Sequence, residues 1–348
     1  MATPNDAQSG SLNPRLRERL RQRPAPFPTT EAWAAGIRAG DRGLLSRGIT
    51  LLESTLPEHR AQATALVEAC LPHAGETLRI GITGSPGVGK STFIENMGGY
   101  LLERGHRVAV LAVDPSSERT GGSILGDKTR MPRLTVHPDA YVRPSPAGTT
   151  LGGVTRYTRE AITLCEAAGY DLILVETVGV GQSETAVYHL TDCFALLLLP
   201  GAGDELQGIK RGIVEMADLV WINKAEGDNA KAAKATQRAY RNALHLFPPK
   251  ASGWTVPVLR GSALEVLNLD GWYRAVQQFR AHVRANGHYT AHRLAQRRTG
   301  FRRALRDELW DWLRTRPGYA ERLAEIEPAV LAGQQSISGG VRALLHQL

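Results

Sequence analysis

The chain is poor in cysteine: Cys70, Cys165 and Cys193 are the only three in 348 residues. Three thiols cannot build a disulfide framework, so a stapled secreted fold is not expected and a reducing compartment is. Long apolar runs are missing too. The longest, Cys193 to Leu199, is closed by Pro200 and Gly201. A spanning helix needs ~20 apolar residues, so no membrane partner is expected. Residues 1–28 are polar, rich in Pro and Arg, and lack an apolar h-region, so they are not expected to act as a secretory leader. Asp6 and Glu18 weigh against an organelle transit peptide, and a flexible arm that turns helical near Leu16 is expected. The ten histidines show no metal-ligand spacing and no Cys/His cluster. No tightly bound transition metal is therefore expected.

What the chain does have is core-forming material, with 42% hydrophobic and 22% charged residues. Its length suits about two units at ~150 residues each. The net charge of +8 is uneven. Residues 231–348 carry 19 basic and 8 acidic side chains, whereas the first 230 are slightly acidic. Nine arginines fall between Arg274 and Arg306. Without zinc-finger spacing or an RNA-binding signature, they read as a solvated helix face or an interface with an acidic protein, and no nucleic acid partner is expected.

The hydrophobic pattern predicts a helical arm, an α/β core and a helical tail. Mixed three- and four-residue spacing runs through Leu44, Ile49, Leu52 and Leu56. Seven short apolar runs follow, at Leu78–Ile82, Val108–Val113, Tyr141–Arg143, Leu172–Val175, Phe194–Leu199, Leu219–Ile222 and Val256–Leu259. Continuous apolarity over four to six residues fits strands buried on both faces, and alternation with helices fits a mostly parallel, doubly wound sheet. The expected boundaries are an arm over 1–28, helices over 29–75, the α/β domain over 76–266 and a helical segment over 267–348.

The first run leads into Gly84-Ser85-Pro86-Gly87-Val88-Gly89-Lys90-Ser91, which fits G-x-x-x-x-G-K-[ST] between a strand and a helix expected over Thr92–Arg104. Glycines let backbone N–H groups face a phosphate, Lys90 can reach its β/γ oxygens and Ser91 can ligate Mg²⁺. Val108–Val113 ends in Asp114-Pro115-Ser116-Ser117. Asp114 suits either a metal shell at a strand's carboxyl end or ordinary turn chemistry. Asp127 is a second acid, in a loop with Gly121, Gly122 and Gly126.

The run Leu172–Val175 continues as Glu176-Thr177-Val178-Gly179. Glu176 can bind a metal or orient water, and Gly179 can offer an N–H to a γ-phosphate. Gln182 is either a water-positioner or a solvated loop residue. Asn223-Lys224-Ala225-Glu226 follows the strand Leu219–Ile222. A carboxylate at Glu226 can accept both N1–H and N2–H₂ of guanine, a donor pair that adenine lacks. Asn223 can serve the N7 side, and the Lys224 stem can cover the ring. Ser262 and Ala263 are placed to offer a backbone N–H to guanine O6. Asp204-Glu205-Leu206-Gln207-Gly208-Ile209-Lys210 reads as a helix start capped by Asp204.

In this order, GSPGVGKST, DPSS, ILVETVGVGQSE, DELQGIK and NKAE resemble the MeaB/ArgK-type P-loop GTPases, G-protein chaperones of adenosylcobalamin-dependent methylmalonyl-CoA mutase and related acyl-CoA mutases. The likeness covers nearly the whole chain. It implies that Lys90, Ser91 and Thr92 bind phosphate and Mg²⁺, and that Asp114 and Asp127 belong to switch I and the metal shell. Glu176 to Gly181 would be switch II, and Asp204 to Lys210 a third switch that answers to the mutase. The family's fourth base-reading residue is commonly Asp; here it is Glu226. The resemblance further implies GTP and GDP as ligands, a homodimer built by the terminal helices, and a cytoplasmic enzyme whose hydrolysis is slow without its partner. Two other readings stay open: a P-loop protein kinase linked to amino-acid transport, and a nickel-insertion-type GTPase.

Overall fold

Seven short runs of apolar residues become seven parallel strands. The computed structural model describes residues 28–54, 56–113, 131–144, 151–177, 183–201 and 211–346. In chain order the strands are β1 (Leu78–Gly84), β2 (Val108–Val113), β3 (Ala140–Arg143), β4 (Leu172–Thr177), β5 (Cys193–Leu198), β6 (Leu219–Ile222) and β7 (Val258–Arg260). They form one sheet in the order β3-β2-β4-β1-β5-β6-β7, and every pairing is parallel. The α/β class read from the sequence is the class observed. The carboxyl ends of all the strands therefore lie along one edge, where open α/β sheets bind their ligands.

Alternation along the strands divides the core. Val108, Val110, Leu172 and Leu174 turn to one face, with Phe93, Met97, Trp272 and Phe279. Ala109, Leu111, Ile173 and Val175 turn to the other, with Trp33, Ile37, Leu45, Leu66, Ile162 and Cys165. The first face is covered by α4 (Lys90–Leu102) and α10 (Leu269–Ala285). The second is covered by α1 (Thr30–Arg38), α2 (Arg42–Leu52), α3 (Pro57–Cys70) and α6 (Leu151–Ala167). Local chemistry starts these helices where the sequence allows. The Asp41 side chain accepts from the N–H groups of Gly43 at 2.8 Å and Leu44 at 3.0 Å, capping α2. Pro57 opens α3 at a position where its missing N–H costs nothing.

The remaining helices are α5 (Pro132–Val136), α7 (Ser183–Tyr188), α8 (Arg211–Met216), α9 (Asn229–Leu244), α11 (His288–Arg314), α12 (Tyr319–Leu331) and α13 (Ile337–His346). The arginine-rich stretch lies on α10 and α11, and one member departs from the solvated-face expectation. Arg293 is buried, bonded by Nη2 to Asp192 and to the carbonyl of Thr77, both at 2.7 Å. It thereby roots α11 at the amino ends of β1 and β5. Further along α11, Phe301, Leu305, Leu309 and Trp310 are exposed. Cys70, Cys165 and Cys193 are buried free thiols. Among the described residues no helix is long and apolar enough to cross a membrane.

Candidate functional site

The site is built where β1 hands over to α4. Gly89 occupies the helix cap with φ of 96°, a conformation open to glycine at little cost. A Cβ there would sit 2.8 Å from the side-chain nitrogen of Asn223. The loop can therefore approach the Asn223 segment only because residue 89 has no side chain. Val88 is buried beneath the loop, while Ser85, Pro86 and Gly87 line its exposed mouth. The helix begins at Lys90, two residues before the expected Thr92, so Lys90, Ser91 and Thr92 form its first turn and leave their N–H groups to face an anion.

The Lys90 ammonium donates to the carbonyls of Gly84 at 2.8 Å and Ser85 at 3.4 Å. Burial pushes its pKa below the ordinary lysine value, an effect that Glu176 and Glu184 partly offset. A desolvated cation so held strengthens its attraction for a phosphate. The Ser91 hydroxyl donates to Oε1 of Glu176 at 3.2 Å. Glu176 reaches this point because β1 pairs with β4 in a register that sets Ile82 beside it. A hydroxyl and a buried carboxylate together are hard oxygen donors that suit Mg²⁺. Directly beneath, the hydroxyls of Thr177 and Thr83 are bonded at 3.0 Å, tying the two strand ends together.

The second half of the site lies at the ends of β6 and β7. Asn223 is buried, and its amide nitrogen donates to the Val88 carbonyl at 2.8 Å. Its oxygen accepts from the Ala263 N–H at 2.9 Å and the Trp221 indole at 3.3 Å. Lys224 is exposed with φ of 54°, a left-handed conformation rare for a side chain of this kind. Its Cε lies 4.0 Å from the Cβ position of Gly89. Glu226 carries a buried Oε2 without a hydrogen-bond partner among the described residues. A shielded carboxylate oxygen with spare acceptor capacity fits the paired N–H donors of guanine.

Two expectations change in detail. The N–H of Ala263 is given to Asn223 and that of Ser262 to the Leu267 carbonyl at 3.2 Å. Their backbone donors are engaged inside the protein, so these residues shape the wall of the site and hold Asn223 in place. Asn223 itself fastens the phosphate loop to the base segment. Asp114, Asp127, Gly179, Gln182, Asp204 and Lys210 lie outside the described residues. Nothing in the sequence signals the Thr83–Thr177 pair or the indole bond of Trp221. A cavity of about 800 Å³ lined by Glu215, Arg241, Lys250 and Trp254 opens at the amino ends of β6 and β7. It contains none of the motif residues.

The parallel sheet and the phosphate loop define a P-loop nucleotide-binding protein. The family model described as "Methylmalonyl Co-A mutase-associated GTPase MeaB" matches residues 45–317, and the chain belongs to that family. It is a GTPase. It is 47% identical over 277 residues to the GTPase ArgK of Escherichia coli, covering 80% of this chain and 84% of that protein. It is 45% identical over 311 residues to the mouse protein named "Methylmalonic aciduria type A homolog, mitochondrial", covering 86% of this chain and 75% of that one. Among solved structures, one titled "LAO/AO transport system kinase" matches with a TM-score of 0.73 and 37% identity, over 91% of this chain and 97% of that one.

Proposed function

We propose that this GTPase is Mg²⁺-dependent and uses its nucleotide state to gate the loading of adenosylcobalamin onto methylmalonyl-CoA mutase or a related acyl-CoA mutase, and to protect that enzyme. The observation that carries this reading is the match of residues 45–317 to a family described as mutase-associated.

In this reading the first turn of α4 binds the β- and γ-phosphates, with Lys90 as the cation and Thr92 beside it. Ser91 and Glu176, with Asp114 and Asp127, hold Mg²⁺, which when bound neutralises charge on the phosphate oxygens. The Ser91 hydroxyl and the Glu176 carboxylate, now bonded to each other, would be the two described ligands of that ion. Glu226 accepts from the Watson–Crick edge of guanine, Asn223 fixes the loop behind it, and the Lys224 stem covers the ring. Gly179 offers its N–H to the γ-phosphate, Gln182 orients water, and Lys210 belongs to a segment that answers to the mutase.

No described side chain is placed as a ready general base, which supports slow turnover without a partner. Exposed Phe301, Leu305, Leu309 and Trp310 on α11 support pairing with a second copy of the chain. The cell compartment proposed is the cytoplasm.

The test is hydrolysis of GTP and ATP with Mg²⁺, with and without a purified adenosylcobalamin-dependent methylmalonyl-CoA mutase. GTP-selective turnover that rises with the mutase is expected, and so is loss of that rise in Lys210→Ala. Turnover indifferent to the mutase would overturn the coupling. Phosphate transfer to protein in place of water would favour the kinase reading.

A further inference from the structure

The P-loop helix carries an asparagine that neither the phosphate nor the base motif includes. Asn96 lies in the middle of α4, where its side chain is a poor helix former because it competes for backbone bonds. Its Nδ2 donates to the Ala263 carbonyl at 2.9 Å and to the Thr92 carbonyl, four residues back, at 3.3 Å. Its Oδ1 accepts from Nη1 of Arg133 at 3.4 Å. That guanidinium has only donors, so it settles which end of the amide faces the two carbonyls. Room for it comes from Gly99, where a Cβ would approach Arg133 Nη2 to 3.0 Å.

The partner of Asn96 is the same residue that Asn223 holds. Ala263 gives its N–H to Asn223 Oδ1 and its carbonyl receives Asn96 Nδ2. One residue is thus clamped by two side-chain amides, one from the phosphate helix and one from the base strand. The next turn of chain is closed by reciprocal bonds between Ser262 and Leu267 at 3.2 and 2.9 Å. It accepts φ of 55° at Val266, a costly conformation for a β-branched residue. The Ala225 N–H bonds to the Gly261 carbonyl at 3.1 Å, so the same loop also supports the backbone just before Glu226.

We infer that Asn96 is a positioning residue for guanine recognition: it holds the Ala263 loop against the phosphate helix, and through that loop fixes Asn223 and Glu226 at the base. Its loss frees the Ala263 carbonyl and lets the base segment drift, while the bonds of Lys90 to Gly84 and Ser85 and of Ser91 to Glu176 remain. Guanine selectivity falls more than phosphate affinity.

The test is displacement of a fluorescent GDP analogue by GDP, IDP and ADP, with Mg²⁺, on the full chain and on Asn96→Ala, Asn96→Asp and Arg133→Met. Asn96→Asp keeps the shape but replaces the amide donor with a charged acceptor facing two carbonyls. In both Asn96 variants GDP affinity is expected to fall about tenfold, the scale of a lost hydrogen bond. ADP affinity should change less than twofold. Arg133→Met, which removes only the restraint on the amide, should move GDP in the same direction by a smaller factor. IDP lacks the 2-amino group, so its disadvantage against GDP should shrink. If GDP and ADP weaken by one common factor, Asn96 is merely structural. Unchanged GDP affinity in both Asn96 variants would show that Ala263 needs no such clamp. Should Asn96→Ala fail to fold, Asn96→Asp and Arg133→Met carry the same comparison.

Discussion

Ser91 and Glu176 are 85 residues apart in the chain, yet the hydroxyl of one donates to the carboxylate of the other across 3.2 Å. This bond joins the first turn of α4 to the carboxyl end of β4, the two places where a phosphate-bound ion would be felt. Glu176→Gln keeps the shape and removes the charge. It should raise the Mg²⁺ concentration needed for half-maximal GTP turnover and lower kcat/KM by about 100-fold, the scale of a lost charge stabiliser. Ser91→Ala should do the same while leaving the thermal midpoint nearly unchanged. A Mg²⁺ titration of steady-state hydrolysis, with unfolding monitored alongside, checks both.

Lys90 should give opposite pH signatures in stability and in binding. Its pKa is lowered by burial, against partial compensation from Glu176 and Glu184. Between the folded and unfolded values the unfolded chain holds more protons, so stability rises with pH across that window. Below it, burying the charge is a constant cost. Nucleotide binding needs the proton and falls across the same window. The difference between the parent chain and Lys90→Met, in GDP affinity and in denaturant midpoint from pH 7 upward, isolates the effect. Parallel slopes for the two proteins would remove the assignment.

Glu226 sets the base preference by what it accepts. Glu226→Ala should weaken GDP by about 10- to 100-fold, as for a hydrogen bond to a charged group, and ADP far less. Glu226→Gln places an NH₂ near the base edge, which suits the 2-oxo group of xanthine. Its affinity for XDP should therefore rise as that for GDP drops. Equilibrium competition among GDP, XDP and ADP reads both shifts.

Arg293 carries a structural prediction. Arg293→Met removes the cationic partner of a buried Asp192, which keeps only the Arg79 N–H at 2.9 Å, and one of two cations near Glu166, whose Oε2 has no hydrogen-bond partner among the described residues. Breaking a buried pair on one side costs about 3–5 kcal/mol. A denaturant midpoint unaffected by the substitution would show that Asp192 finds another donor. The double variant Arg293→Met with Asp192→Asn should recover part of the loss.

Much of this was legible from the chain. The apolar runs marked the sheet because strands buried on both faces leave no alternation to confuse them. β1 gained two residues and β7 slid toward Arg260, where turn chemistry blurs the edges. The nucleotide motifs were readable because their spacing is set by backbone approach to a ligand. Asn96 was not, since its partner lies 167 residues away and an asparagine in a helix carries no motif. Arg293 was hidden for a different reason. It sits in a run of arginines whose other members share its composition but not its burial. The spent N–H groups of Ser262 and Ala263 depend on which way a peptide faces, which residue identity does not encode.

The rooting of α11 bears on how the chain comes apart. The helix leaves the sheet from the end opposite the nucleotide, with Arg293 set among Asp192 and Glu166, and α10 lays Trp272 and Phe279 into the same core as β1. A protease cut or stop codon near residue 267 would strip part of the cover from one face of the sheet, leave Asp192 without its cation and leave Glu166 with Arg79 alone. Helix α10 and the first half of α11 are thus structural members of the nucleotide domain, and should melt with it in a single cooperative transition. Only the distal half of α11 and the helices beyond it can rearrange while the GTP site stays folded.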